Sequence, residues 1–171
     1  MSEIDFSRIP VFQDLTAAEL DAVRGIFHER SCPAGDVVMA EGQMGEEMFI
    51  LVRGTVQISK AMLLPGMNVP LLNMASPRKV LATLKDGVHP MLGEVALIDS
   101  EERSATVRAQ TDCLFLVTSR AQFFDLAKRE PEIGVKLLLI IGKRMAATIR
   151  RSNSEVVKLT TALALSLRKS V

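Results

Sequence analysis

Leu92-Gly93-Glu94-Val95-Ala96-Leu97-Ile98, followed after a short acidic loop by Arg103-Ser104-Ala105-Thr106-Val107-Arg108-Ala109, is the stretch on which the reading of this chain turns. A Gly-Glu pair stands nine residues before an arginine, with small and apolar residues around both. Gly93 lets the backbone come close to a ligand. The N–H groups of Val95 and Ala96 fall in the first turn of a short apolar segment, where helix donors lack internal partners and point at anions. Arg103 can fork onto two oxygens of a phosphate. Glu94 has the wrong sign for phosphate and suits a hydroxyl. The stretch therefore predicts one compact site for a molecule carrying both a hydroxyl and an anionic phosphate.

Outward from that stretch, 171 residues predict one domain with an appendage, here 1–130 and a C-terminal helical region 131–171. With 48% hydrophobic and 24% charged residues the chain has material for a core and is not a disordered polymer. The net charge of +1 gives no bulk field for a nucleic acid or a membrane. The charge is uneven: Pro131 to Val171 holds eight Lys/Arg against two Asp/Glu, a pattern read as a solvated helix face. Cys32 and Cys113 lack metal spacing and are read as small core residues of a reduced, cytoplasmic protein. The acidic N-terminus has no signal-peptide pattern, and the run Leu137 to Ile141 is far too short to span a bilayer.

Residues 6–30 read as helical, with a capping box at Thr16-Ala17-Ala18-Glu19 and apolar Leu20, Val23, Ile26 and Phe27 at helical spacing. Short strands with turn punctuation follow at 37–40, 48–53, 55–59, 80–84, 104–109 and 114–118, the pattern of an antiparallel sandwich or barrel. Ser119-Arg120-Ala121-Gln122 is a second capping box, and Pro131 opens a further helix. That helix carries one stripe of Leu138, Ile141, Met145 and Ile149 and another of Ile133, Leu137 and Ile140. That is too much apolar surface for a helix with one wet side, which predicts one face on the domain and one on a second copy, a homodimer. Ser152-Asn153-Ser154-Glu155 is a candidate break; Val156, Leu159, Leu163 and Leu167 continue the apolar face.

The segment 92–109 resembles the phosphate-binding cassette of the cyclic-nucleotide-binding domain family: an apolar residue, Gly-Glu, a short apolar helix, then Arg, a small residue, Ala and a strand. The family includes catabolite activator proteins, regulatory subunits of cAMP-dependent protein kinase and gated channels. Cys32-Pro33-Ala34-Gly35-Asp36-Val37-Val38 and the run from Glu41-Gly42 to Gly54-Thr55-Val56 resemble the first half of its β-roll, and the likeness covers about Pro10 to Met145. Two departures stand out: a Met- and Leu-rich insert from Ala61 to Lys79, and a longer loop from Gly87 to Gly93.

The resemblance implies a mainly β fold with flanking helices, a double-stranded β-helix or jelly-roll-like β-roll with an N-terminal helix and long C-terminal helices. It implies a 3′,5′-cyclic nucleotide as ligand, cAMP before cGMP, and no cofactor beyond it. The phosphate would meet Arg103, Ser104 and the N–H groups of Val95 and Ala96 beside Gly93. The ribose would meet Glu94, and the base Thr148 on the long helix. The expected role is a stand-alone sensor with an unknown downstream partner. One alternative is an activator-type transcription regulator without its DNA-binding domain, since the residues after Ser152 are too few for a helix-turn-helix module. Another is an interaction module with an unused pocket. DNA is not expected as a partner. Catalysis has no support: the two histidines, His28 and His89, lie far apart, no nucleophile–base set is present, and a haem on His89 lacks a visible second ligand.

Overall fold

The computed structural model describes residues 4–62 and 78–168. The chain opens with two 3-10 turns, Phe6–Arg8 and Pro10–Phe12, and helix α1 (Ala17–Arg24). The capping box forms as expected: Glu19 N–H donates to Thr16 Oγ1 at 3.3 Å, and Thr16 N–H donates to Glu19 Oε2 at 2.8 Å. The helix does not run to residue 30, however. Gly25 ends it, its N–H returning to Asp21, and His28 lies on strand β1 (His28–Cys32), not on a helix. The strand escaped the sequence reading because it is polar and lies at a sheet edge, where alternate side chains face solvent and leave no apolar signal.

Seven further strands follow: β2 (Val37–Met39), β3 (Glu47–Arg53), β4 (Thr55–Ala61), β5 (Arg78–Lys85), β6 (Met91–Leu92), β7 (Thr106–Ala109) and β8 (Cys113–Ser119). They form two antiparallel four-stranded sheets, β1-β8-β3-β6 and β2-β7-β4-β5. Helix α2 (Glu94–Asp99) interrupts the strands; α3 (Arg120–Arg129) and α4 (Pro131–Arg168) close the chain. The architecture is the mainly β roll with flanking helices that the sequence predicted.

Strand β3 shows how the core is arranged. Phe49 and Leu51 point between the sheets, where they meet Val56, Val107, Phe115 and Val117. Phe49 and Phe115 pack edge to face, centroids 5.8 Å apart. Met48 and Ile50, on the opposite side, join a second core of Phe6, Ile9, Phe12, Val23, Phe123 and the first turns of α4. A strand buried on both faces reads as a continuous apolar run, which Met48–Val52 is.

Expectations for α4 and for Cys32 change. α4 is unbroken over 38 residues, about 57 Å, straight through Ser152–Glu155. The Ser154 hydroxyl donates to the Arg150 carbonyl one turn back, so the serine is accommodated in the helix. The stripe that meets the roll is Ile133, Leu137 and Ile141, while Leu138 and Ile149 are exposed. Cys113 is a core residue; Cys32 is only partly buried. Residues 63–77 of the expected Met-rich insert lie outside the described residues. Its flanking strands are longer than expected, and Arg78 ties them together by donating to Ser59 Oγ at 3.1 Å and the Ser59 carbonyl at 3.2 Å, and reaches beyond them to Glu41 Oε2 and Thr106 Oγ1, both at 2.8 Å. Among the described residues no helix is long and apolar enough to cross a membrane.

Candidate functional site

Arg103 is only 7% exposed. Its backbone is held first: Arg103 N–H donates to Gln43 O at 2.8 Å and Gly42 N–H donates to Arg103 O at 3.0 Å, which stitches the loop after β2 to the loop after α2. The guanidinium then donates to Glu47 O at 2.8 Å and Gly93 O at 3.3 Å, and lies over the Phe49 ring at 5.9 Å. A guanidinium has five donors. Among the described residues these two carbonyls are its hydrogen-bond acceptors. Burial pushes its pKa below the usual arginine value, and the charges of Glu47 and Glu94 act in the opposite direction. The result is a desolvated, permanently charged fork with donors in reserve, which is chemistry for an anion.

Two glycines make room for that fork. A Cβ on Gly45 would overlap Arg103 Nε and Cζ. A Cβ on Gly93 would overlap Arg103 Nη1 and come within 2.9 Å of Glu47 O. Gly93 also has φ of 78°, the left-handed region where a side chain is strained. It serves as the N-cap of α2, and no side chain caps that end. The first-turn N–H groups of α2, those of Val95 and Ala96 included, therefore lack intrahelical partners. Ala96 is buried and Val95 is 39% exposed. Glu94 is half-buried and close enough to Arg103 to act on its pKa, and Ser104 is exposed beside it.

The structure thus gathers Gly93, Glu94, Val95, Ala96, Arg103 and Ser104 around the start of α2. Thr148 is not part of that group. It is exposed on α4, seven residues beyond Ile141, the last buried residue of that helix. Among the described residues no cluster of three or more His, Cys, Asp or Glu can hold a metal ion. His89 is left-handed, with φ of 42°, and its Nδ1 is 3.2 Å from Leu51 O.

Sequence reasoning missed three contributors. Gly45 and the Glu47 carbonyl shape the Arg103 socket. A carbonyl is identical in every residue, so no sequence signal exists for the latter. In the sequence Arg120 stands out only as part of a cap. Its Nη1 donates to the Leu97 carbonyl and, at 2.6 Å, to the Ile98 carbonyl, while the guanidinium lies 4.6 Å from the Phe124 ring centroid. It satisfies carbonyls at the end of α2 and joins that helix to the start of α3.

A model of the cyclic nucleotide-binding domain matches residues 29–130. A cyclic nucleotide-gated potassium channel of Mesorhizobium japonicum is 34% identical over 125 residues, 73% of this chain and 30% of the channel. The cyclic AMP receptor protein of Thermus thermophilus is 25% identical over 136 residues, 80% of this chain and 57% of the receptor. The crystal structure of the Thermus thermophilus catabolite activator protein superposes on 88% of this chain and 63% of that one, with a TM-score of 0.73 at 24% identity, a likeness of fold. The chain spans only part of these relatives, from 30% of the channel to 57% of the receptor. Over its β-roll and cassette, the chain belongs to the cyclic nucleotide-binding domain family.

Proposed function

We propose that this protein binds a 3′,5′-cyclic nucleotide, cAMP in preference to cGMP, and acts as a stand-alone, non-enzymatic regulatory module in the cytoplasm. The observation that carries the proposal is the buried Arg103 fork, cleared by Gly45 and Gly93 and placed beside the open first turn of α2. In this reading the cyclic phosphate takes Arg103, Ser104 and the N–H groups of Val95 and Ala96. Glu94 accepts from the ribose 2′-hydroxyl. The preference for cAMP is supported by the similarity to the cyclic AMP receptor protein of Thermus thermophilus.

The base and the output both fall to α4. Thr148 is exposed in the single chain, so it meets a base only if α4 closes over the roll or arrives from a second copy. The second copy has its own support. Leu138, Gly142, Met145, Ile149, Ser152, Val156, Leu159 and Leu163 alternate at steps of four and three, the seam of a two-stranded coiled coil. Leu138, Ile149, Val156, Leu159 and Leu163 are all exposed in the single chain. A homodimer through α4 covers them, and a downstream protein would read the position of that helix.

Calorimetric titration with cAMP, cGMP and a cyclic dinucleotide tests the reading. Binding is expected for cAMP, weaker for cGMP, and absent for the dinucleotide. Arg103→Ala should lose about 2–5 kcal/mol, the cost of leaving a buried phosphate charge without its partner. Wild-type affinity in that variant would refute the assignment.

A further inference from the structure

The chain has two cysteines, 81 positions apart, and folding sets them face to face. Cys32 on β1 and Cys113 on β8 are register partners in the antiparallel ladder. Residues directly opposite in such a ladder send their side chains to the same face, with Cα atoms about 4.5 or 5.5 Å apart. Both spacings lie within the roughly 4.4–6.8 Å window a disulfide spans. Both thiols are free. Cys32 is half-buried and open to a small oxidant, whereas Cys113 is 3% exposed. Cys113 Sγ now donates weakly to Thr111 O at 3.2 Å and Thr55 O at 3.4 Å. Among the described residues β1 is the edge strand of its sheet, and its ladder is to β8 alone.

We propose that Cys32 and Cys113 are a redox pair, closing under peroxide into a cross-strand disulfide that fastens the edge strand β1 to β8. The Cys32 thiol gives up its proton and the thiolate attacks a peroxide oxygen; the O–O bond breaks, the hydroxide expelled takes a proton and leaves as water, and Cys32 becomes a sulfenic acid. Cys113 Sγ then attacks that sulfur and gives up its proton, the S–O bond breaks, and a second water leaves. Two thiols have lost two electrons and two protons, and the peroxide has taken both. Burial, followed by the charges of Asp36 and Cys113, pushes the Cys32 thiol up, so its thiolate is a minor form at neutral pH and closure should quicken as the pH rises.

The test treats the folded protein with excess hydrogen peroxide, quenches with an alkylating agent, and measures intact mass and non-reduced peptides. The expected result is a loss of two hydrogens, one linked pair of peptides bearing Cys32 and Cys113 from a single chain, and reversal by dithiothreitol. Amides of residues 28–32 should exchange several-fold more slowly in the oxidised form. Cys32→Ser, at a half-buried position, should keep the fold and show neither change. Two thiols that remain separately alkylatable, a sulfinic acid on Cys32, a bridge between two chains, or β1 exchange that slows equally in Cys32→Ser would each overturn the proposal. None of these readouts requires a nucleotide, so failure here is separate from failure of the binding reading.

Discussion

At the scale of single residues, the socket around Arg103 separates binding from folding. A methyl group on Gly45 overlaps only the far end of a flexible arginine, so the side chain can move aside at little cost to the fold. Gly45→Ala should therefore lose less than about 1 kcal/mol of stability. Its cAMP affinity should fall by on the order of tenfold or more, because the fork no longer lies where the phosphate needs it. Chemical denaturation and calorimetry on one preparation check both halves. Glu94 makes a complementary case. If it accepts from the ribose hydroxyl, 2′-deoxy-cAMP should bind roughly 1.5–3 kcal/mol worse than cAMP, the worth of a hydrogen bond to a charged group. The penalty should shrink in Glu94→Gln; equal penalties in the two proteins would remove Glu94 from the ribose.

At the scale of elements, the question is what holds α4 to the rest of the chain. Ile133, Leu137 and Ile141 bury one stripe, at roughly 1.5–3 kcal/mol per side chain. Lys136 adds an ion pair to Glu19 on α1, with Nζ 2.7 Å from Oε1. That lysine, with the N–H of Thr16, holds the Glu19 carboxyl below its ordinary value. A carboxylate whose folded pKa is depressed stabilises the fold above its unfolded pKa, and loses that contribution as pH falls through the folded pKa. Protection factors of amides at the start of α4, taken against the intrinsic rate at each pH, should thus fall once the pH drops below the ordinary glutamate range. Glu19→Gln should show the lower protection at neutral pH and a flatter pH response. Hydrogen exchange of residues 131–145 across an acid series measures it. The element boundaries follow similar logic. Both capping boxes were legible because a cap is local in sequence. β1 was not, because an edge strand is defined by the neighbour on its other side.

At the scale of the whole molecule, α4 beyond Ile141 leaves Ile149, Val156, Val157, Leu159, Leu163, Leu165 and Leu167 exposed. Apolar surface of that extent marks an interface. Sedimentation should give a dimer, and Leu159→Asp should weaken it, since a charge at a coiled-coil seam must be desolvated to associate. The same variant should retain the β-roll and the Arg103 socket, which do not involve Leu159. A monomeric wild-type protein at micromolar concentration would refute the pairing.

The sequence by itself determined the cassette, the punctuation of the strands, the caps of α1 and α3 and the start of α4. Each depends on residues close together in the chain, so each leaves a local pattern. Only the tertiary structure decided what surrounds Arg103. Its hydrogen-bond partners are main-chain carbonyls of Glu47 and Gly93, and its clearance comes from Gly45, more than fifty residues upstream. The tertiary structure also divided α4 between Ile133, Leu137 and Ile141 on the roll and the exposed Ile149, Val156, Leu159 and Leu163 beyond it. Helical periodicity reports that a face is apolar, but which face meets which surface depends on the direction in which α3 delivers the chain to Pro131. The meeting of Cys32 and Cys113 is likewise a matter of register, fixed by the β1–β8 ladder and invisible to any window along the sequence.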